Sequence, residues 1–368
     1  MDDVFRFADE FGPTRICHIH RHNVGLKAIV VVDNIACGAA IGGIRMAPDV
    51  SVEECFRLAR TMTWKNAAAG LPHGGGKSVI FADPGMPPAA KEELIRCFAG
   101  AIRDIGDYIP GPDMGTDERC MAWVEDEIGR AVGLPGVIGG IPLDEIGATG
   151  FGLAASVDVA SEFIGLNLQG ARVAIQGFGS VGKHAARFLA KKGAILVGAS
   201  DTSGALVDAS GIDVGKLIAW KQSGRPLRDF DSGIKLPADA ILDVECDIWI
   251  PAARPDVVRA DNVARLRTRL LAQGANIPCT PEAEEALHNR SVLVIPDFIA
   301  NAGGVICAAM EYRGSTERAA FDYIDERIRT NTRAVLEESR RAKAMPRTAA
   351  MALAQRRVRH AMQMRRWR

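Results

Sequence analysis

Two hydrophobic rhythms divide the chain. Near the start, "LKAIVVVDN" (26–34) is rich in β-branched residues and predicts a strand, and "ACGAAIGG" (36–43) a close-packed, glycine-bearing one, within a strand-rich stretch over 16–45. "SVEECFRLARTMTWKNAAAG" (51–70) then changes period: Val52, Cys55, Leu58, Ala59 and Met62 keep helical spacing, Ser51 and Glu54 form a capping box, and Gly70 supplies the stop. A second helix is predicted over 88–106, and "YIPGPDMGTDERCMAWVEDEIG" (108–129) reads as a turn leading into another. The stretch 133–152, dense in glycine and proline, reads as a boundary. Beyond it apolar runs alternate with helical segments: "ARVAIQGFG", a helix over 180–192, "AILVGAS", "CDIWIPAA", "RLLAQGAN", a helix over 281–289 and "SVLVIPD". That alternation predicts an α/β fold with a parallel, doubly wound sheet. The tail, 316–368, reads as helical and rich in arginine.

Composition narrows the classes. A length of 368 residues suggests two domains, and 48% hydrophobic with 24% charged residues is ordinary for a soluble globular protein. The formal net charge of zero gives no argument for nucleic acid or an anionic membrane. The longest apolar runs, such as "AIVVV", are too short to span a bilayer, and "MDDVFRFADE" carries acids where a signal peptide would be basic. Eight cysteines without CxxC spacing read as reduced thiols, so a cytoplasmic protein is expected. His18, His20 and His22 alternate and would share one strand face; without a further partner nearby they read as a solvated or interfacial face, and no metal is expected.

"GLPHGGGKSVI" (70–80) resembles a phosphate-binding loop but fails its spacing. Leu71 stands where the first glycine is required, and a strand rather than a helix follows Lys77-Ser78. Another use of Lys77 is needed. The stronger phosphate signal lies at Gly177, Gly179 and Gly182, a G-x-G-x-x-G directly after a strand and opening a helix. The pyrophosphate would sit there on the backbone of Ser180, Val181 and Gly182. Asp201, at the end of the next strand, is placed to take ribose hydroxyls and to repel a 2′-phosphate, which favours NAD; Thr202 and Ser203 leave NADP open.

Lys65, Lys77 and Asp113 are the remaining candidates for chemistry. Two lysines brought together make each other's protonation costly, which leaves one amine to act as a base toward water and the other to hold an anion; an aspartate can ferry a proton. Beside a nicotinamide, such a trio suits oxidative deamination. Here the blocks "GGIRMAPDVSVEE", "TWKNAAAGLPHGGGKS", "GPDMGT", "ATGFG", "QGFGSVG", "QGANIPCTPEA" and "PDFIANAGGV" resemble, in order, those of the glutamate/leucine/phenylalanine/valine dehydrogenases. The resemblance implies that Lys65 binds the substrate α-carboxylate with the backbone of Gly42 and Gly43, that Lys77 activates water, and that Asp113 exchanges protons with the substrate nitrogen. It places Thr149, Asn276 and Asn301 near the nicotinamide and the reacting centre. It implies an N-terminal α/β substrate and oligomerisation domain (1–143), a Rossmann-like domain (144–330) and C-terminal helices (331–368) packing back across the hinge, with a cleft that closes on the substrate. A homo-oligomer is implied as well.

Members that use glutamate hold its side-chain carboxylate with a lysine just before "GG" and a serine after "NAGG". Those positions are Ile41 and Ala308 here, so an apolar substrate is expected, since a buried carboxylate without partners costs several kcal/mol. Glutamate is the alternative, with Arg45 or Arg254 as the cation. A nucleotide-sensing regulator that has lost catalysis is the alternative of another class. The arginines of "AQRRVRHAMQMRRWR" (354–368) read as a helix face or subunit contact rather than a nucleic-acid surface.

Overall fold

The computed structural model describes residues 5–365. Its contacts divide the chain into two compact units: residues 1–142, 305–320 and 351–368 in the first, and 143–304 with 321–350 in the second.

In the first unit, β1 (Arg15–Arg21), β2 (Leu26–Asn34), β3 (Ala40–Ala47), β4 (Gly74–Phe81) and β5 (Tyr108–Pro112) form one sheet in the order β1-β2-β4-β3-β5. β1 and β4 run antiparallel to β2, whereas β3 is parallel to both β4 and β5. The unbroken apolar run of β2 has a physical reason: both its faces are covered. Ile29 and Val31 pack with Val50, Cys55 and Ala59, on the side of helix α1 (Val52–Ala68). Ala28, Val30 and Val32 pack with Leu94, Ile95, Phe98, Met121 and Val124 of helices α2 (Pro88–Ala101) and α3 (Glu118–Ile128). Such two-sided burial hides the period of two that would otherwise mark a strand. Half of the expected capping box forms at the start of α1: Ser51 Oγ accepts from Glu54 N at 3.1 Å, whereas the Glu54 carboxylate accepts from Arg45. The predicted helix over 88–106 is shorter, ending at Ala101. On β1, His18 and His20 are exposed, as is His22 just beyond it. Arg357 donates to the carbonyls of Ala67 and Leu71, and Arg359 pairs with Glu10, so these tail arginines serve intramolecular contacts. The last three residues of that tail and the first four of the chain lie outside the described residues.

The second unit opens with α4 (Leu143–Ile146) and α5 (Ala148–Phe163). It continues through β6 (Arg172–Gln176), α6 (Ser180–Ala190), β7 (Ile195–Asp201), β8 (Gly204–Val207), α7 (Val214–Gln222), β9 (Ile234–Leu236), β10 (Ile248–Pro251), β11 (Leu270–Ala272), α8 (Pro281–Asn289), β12 (Leu293–Ile295) and α9 (Asp297–Ala300). Its sheet has the order β12-β11-β10-β6-β7-β8-β9. The five strands from β12 to β7 are parallel, but β8 and β9 pair antiparallel. The expected all-parallel sheet is corrected there. Asp201, Thr202, Ser203 and Gly204 turn the chain straight back along β7 in place of a helical crossover, and Gly204 (φ 151°) takes a backbone conformation other residues avoid. The helix predicted to 192 ends at Ala190.

Helices α10 (Gly303–Tyr312), α11 (Glu317–Ala342) and α12 (Pro346–Met364) complete the chain, and each contributes residues to both units. The 331–368 segment is therefore divided: residues up to 350 belong to the second unit and the remainder to the first. Within the second unit, Arg347 donates to Glu284 at 2.7 Å, to Asp297 at 2.9 Å and to Gln273 at 3.0 Å. Glu284 and Asp297 are buried, so the guanidinium answers two interior carboxylates at once. Among the described residues no helix is long and apolar enough to cross a membrane, and none of the eight cysteines forms a disulfide.

Candidate active site

In the first unit the candidate residues gather where β3, β4 and β5 run side by side. Ile41 sits opposite Gly75 and Ile44 opposite Ser78, which sets Gly43 beside Lys77. A Cβ added to Gly43 would lie 2.7 Å from Asp113 Cβ and 3.2 Å from Lys77 Nζ, so only glycine leaves room at this point for the two side chains to meet. They do meet: Lys77 Nζ donates to Asp113 Oδ2. Lys77 is buried, and Asp113 begins the turn directly after β5. That turn is fastened by Thr116, whose hydroxyl accepts from Asp113 N at 3.0 Å and donates to Ile44 O at 2.7 Å. Tyr108, fully buried, bridges Gly42 O and Ser78 Oγ beneath the pair.

The triple glycine occupies the strand itself rather than a loop over substrate. Its bare faces are filled by the protein. A Cβ on Gly75 would fall 2.0 Å from Thr63 N and 2.5 Å from Ala59 O of α1, and one on Gly74 would fall 1.8 Å from Asn34 O. The glycines let α1 and β2 close on β4, which fixes the height of Lys77 in the sheet.

Two residues that the sequence reading left out of the catalytic set join this group. Arg45 on β3 donates to Glu54 Oε1 of α1 at 2.6 Å, and its Nε lies 3.4 Å from Asp113 Oδ2. Burial pushes the Asp113 carboxyl up, but Lys77 and then Arg45 more than offset this and hold it below the usual carboxylate range. Glu54 was visible only as a capping residue, and no local signal couples it to Asp113. Lys65 stands in the last turn of α1. Ile41 is buried on β3 and Ala308 is buried on α10.

In the second unit the G-x-G-x-x-G loop follows β6 and opens α6 as expected. Gly177 has φ 93°, and a Cβ on Gly182 would fall 2.1 Å from Gly177 O. Gly179 differs: a Cβ there would meet nothing within 4 Å. The loop is thus closed on its inner side and open at Gly179, and no side chain caps the N–H groups of Ser180, Val181 and Gly182 at the start of α6. An open helix N-terminus of this kind fits a pyrophosphate. Further along, Asn301 Nδ2 donates to Asn276 Oδ1 at 3.0 Å, while Asn301 Oδ1 is buried without a partner, a polar atom suited to a carboxamide. Thr149 at the start of α5 lies close to Gly304, three residues beyond Asn301, since a Cβ on Gly304 would lie 2.8 Å from Thr149 Oγ1. These features fit a nicotinamide dinucleotide.

Asp201 does not stand as a bare charge. Ser203 donates to Oδ1 through its N at 2.8 Å and its hydroxyl at 2.5 Å, and Lys221 of α7 donates to Oδ2 at 2.5 Å. Burial pushes this carboxyl up, yet Lys221 and Ser203 hold it below its usual range. The repulsion expected to reject a 2′-phosphate is met by an adjacent cation. Arg254, one of the two cations considered for glutamate, is exposed in this unit.

The comparisons with known proteins agree with this picture. Residues 139–366 match the family "Glutamate/Leucine/Phenylalanine/Valine dehydrogenase", and residues 14–130 match "Glu/Leu/Phe/Val dehydrogenase, dimerisation domain". A glutamate dehydrogenase from Aeropyrum pernix is 37% identical over 358 residues, covering 91% of this chain and 85% of that protein. An NADP-specific glutamate dehydrogenase from Saccharolobus shibatae is 36% identical over 354 residues, covering 90% and 83%. Among solved structures, a hetero-hexameric glutamate dehydrogenase from Thermus thermophilus in a leucine-bound form superposes with a TM-score of 0.86 at 27% identity, covering 96% of this chain and 90% of that one. Matched along nearly its whole length, the chain belongs to the glutamate/leucine/phenylalanine/valine dehydrogenase family, NAD(P)-dependent oxidoreductases acting on CH–NH2 donors.

Proposed function

We propose that this chain catalyses the reversible oxidative deamination of L-glutamate: glutamate, water and NAD(P)+ give the 2-oxo acid, ammonium, NAD(P)H and a proton. The reaction class rests on the pairing of buried Lys77 with half-buried Asp113 over Gly43. The substrate rests on three curated relatives named glutamate dehydrogenases, which are 36% to 38% identical to this chain.

A nicotinamide bound at these residues would supply the acceptor for a hydride from the substrate α-carbon. Lys65 holds the α-carboxylate together with the backbone at Gly42 and Gly43. Asp113, kept anionic by its cations, accepts a proton from the substrate nitrogen and returns it to the departing ammonia. Lys77, after passing its proton on, receives one from the attacking water. Ser180, Val181 and Gly182 present backbone N–H groups to the pyrophosphate beside Gly177 and Gly179, and Thr149, Asn276 and Asn301 serve the nicotinamide end.

A second reading, an apolar amino acid, is favoured by one observation. Ile41 and Ala308 offer no donor to a side-chain carboxylate, and Arg45 is already engaged by Glu54 and Asp113. Initial rates with glutamate, leucine, valine and phenylalanine, each with NAD+ and NADP+, decide. Turnover of glutamate above the others is expected. Turnover of the apolar set alone transfers the assignment to the second reading, and no turnover of any removes the reaction.

Lys221 bears on the coenzyme. With the Asp201 charge answered, both coenzymes fit the seat, and Lys221 and Ser203 are the donors for a 2′-phosphate. Replacing Lys221 with alanine is expected to weaken calorimetric binding of 2′,5′-ADP about 10-fold or more, the loss of one charge-assisted hydrogen bond. Binding of 5′-AMP should change little. Equal losses for both probes would refute the assignment.

The match of 14–130 to a dimerisation domain supports a homo-oligomer, and the hetero-hexameric solved relative supports assembly of this fold into oligomers. A monomeric mass by light scattering would count against it.

A further inference from the structure

Asp113 Oδ2 is shared. Lys77 donates to it from β4, while Arg45 Nε approaches it from β3 to 3.4 Å. That separation is longer than a hydrogen bond, and Arg45 Nε is buried with no hydrogen-bond partner of its own. The other arm of the same guanidinium is fixed, donating to Glu54 Oε1 at 2.6 Å. The arginine is therefore clamped at one end, with an unspent donor close to the carboxylate that Lys77 also holds.

A lysine that must give up a proton during turnover cannot hold its partner constantly. At that moment Asp113 would be a half-buried carboxylate with its main cation discharged. A guanidinium remains charged throughout, because it does not release a proton in the working range of an enzyme. We propose that Arg45, anchored by Glu54, is a positioning residue that secures Asp113 Oδ2 in the site while the Lys77 amine is deprotonated or turned to substrate. The proposal rests on amino acid oxidation taking place at this site.

The charged and titratable groups facing Asp113 are Lys77 from β4, Arg45 from β3 and, behind it, Glu54 from α1; Cys55 of α1 and Tyr108 of β5 lie close by. Burial pushes the Cys55 thiol up to about 12 and the Tyr108 phenol higher, so both stay neutral. That leaves a quartet of two cations and two anions. Removing Arg45 makes the Asp113 proton harder to lose, whereas removing Glu54 takes away a negative neighbour and makes it easier.

The test is the pH profile of kcat in wild type and in Arg45→Met, Arg45→Lys and Glu54→Gln, with the fold of each variant checked by circular dichroism. Arg45→Met should move the acid limb upward by at least about one pH unit, with a larger change in kcat than in KM. Arg45→Lys, which keeps the charge but not the two-armed fork, should restore the limb while remaining slower than wild type. Glu54→Gln should leave the limb in place or move it downward. A uniform fall in kcat across all pH values with an unmoved limb in Arg45→Met would reduce Arg45 to a structural role and overturn the proposal. If Arg45→Met does not fold, an upward-shifted limb in Arg45→Lys overturns it instead, and an unshifted one supports it. Failure of the underlying reaction is recognised separately, as wild type that oxidises no amino acid.

Discussion

Methionine in place of Lys77 is expected to lower kcat about 1000-fold or more while leaving the coenzyme seat intact. The side chains are similar in length, so the buried stem of Lys77 keeps its packing and only the amine is lost. Losing a positioned acid–base group costs roughly 100- to 10,000-fold. The upper part of that range applies because the same amine also steadies Asp113. The Asp113 carboxyl keeps Arg45 as a partner, so the fold should survive, and 5′-AMP should bind as to wild type because the residues at Gly177–Gly182 belong to the other unit. A Lys77→Met enzyme turning over at the wild-type rate would remove this lysine from the chemistry.

The second large effect is on stability. Gly75→Ala should destabilise the protein by about 3 kcal/mol or more, at the upper end of what overpacking a core costs. The added methyl would meet Thr63 N at 2.0 Å and Ala59 O at 2.5 Å, and these are backbone atoms of α1 that cannot swing aside. The helix must lift from the sheet, carrying the last turn with Lys65. Gly100→Ala is the control, since its Cβ would meet nothing within 4 Å and it lies in α2, where alanine is favoured by up to about 1 kcal/mol. Denaturant melts of the two variants compare them directly. A Gly75→Ala protein as stable as wild type would mean that α1 does not press on β4 as described.

That glycine also shows what a sequence conveys and what it hides. The P-loop reading of "GGGK" could be rejected from spacing alone, and the strand after it was legible from Val79 and Ile80. The purpose of the glycines was not, because the atoms they make room for, on Asn34, Ala59, Thr63 and Tyr108, come from three other elements. The strand, turn and helix around Gly177, Gly179 and Gly182 were readable because they are contiguous, but the Ala252–Ala253 backbone that presses on Gly177 comes from just beyond β10 and was not. Asp201 was readable as a position but not as a charge, for its partner Lys221 arrives from a separate helix. The antiparallel return of β8 was hidden for a similar reason: "TSGALV" carries no mark of its direction beside β7. Arg45 and Glu54 were both in plain view, one as a spare cation and the other as a cap. Only the tertiary fold joins them to Asp113. The apolar substrate inferred from Ile41 and Ala308 finds no support in the names of three curated relatives, all glutamate dehydrogenases. Two apolar positions describe what is missing from a pocket and leave unsaid what another element supplies.

The knot at Arg347 makes the start of α12 indispensable to the second unit. Its guanidinium is the cation for Glu284 and Asp297, both sunk in the second unit, and it is delivered by the first turn of the last helix. A protein cut after α11 would not merely lose an appendage; it would strand two anions in an apolar interior, a deficit of the order of 3–5 kcal/mol when one member of a buried pair is removed. Strands β11 and β12 are thus made well before the cation that the neighbouring carboxylates require, and those two anions stay unanswered until residue 347 has been synthesised.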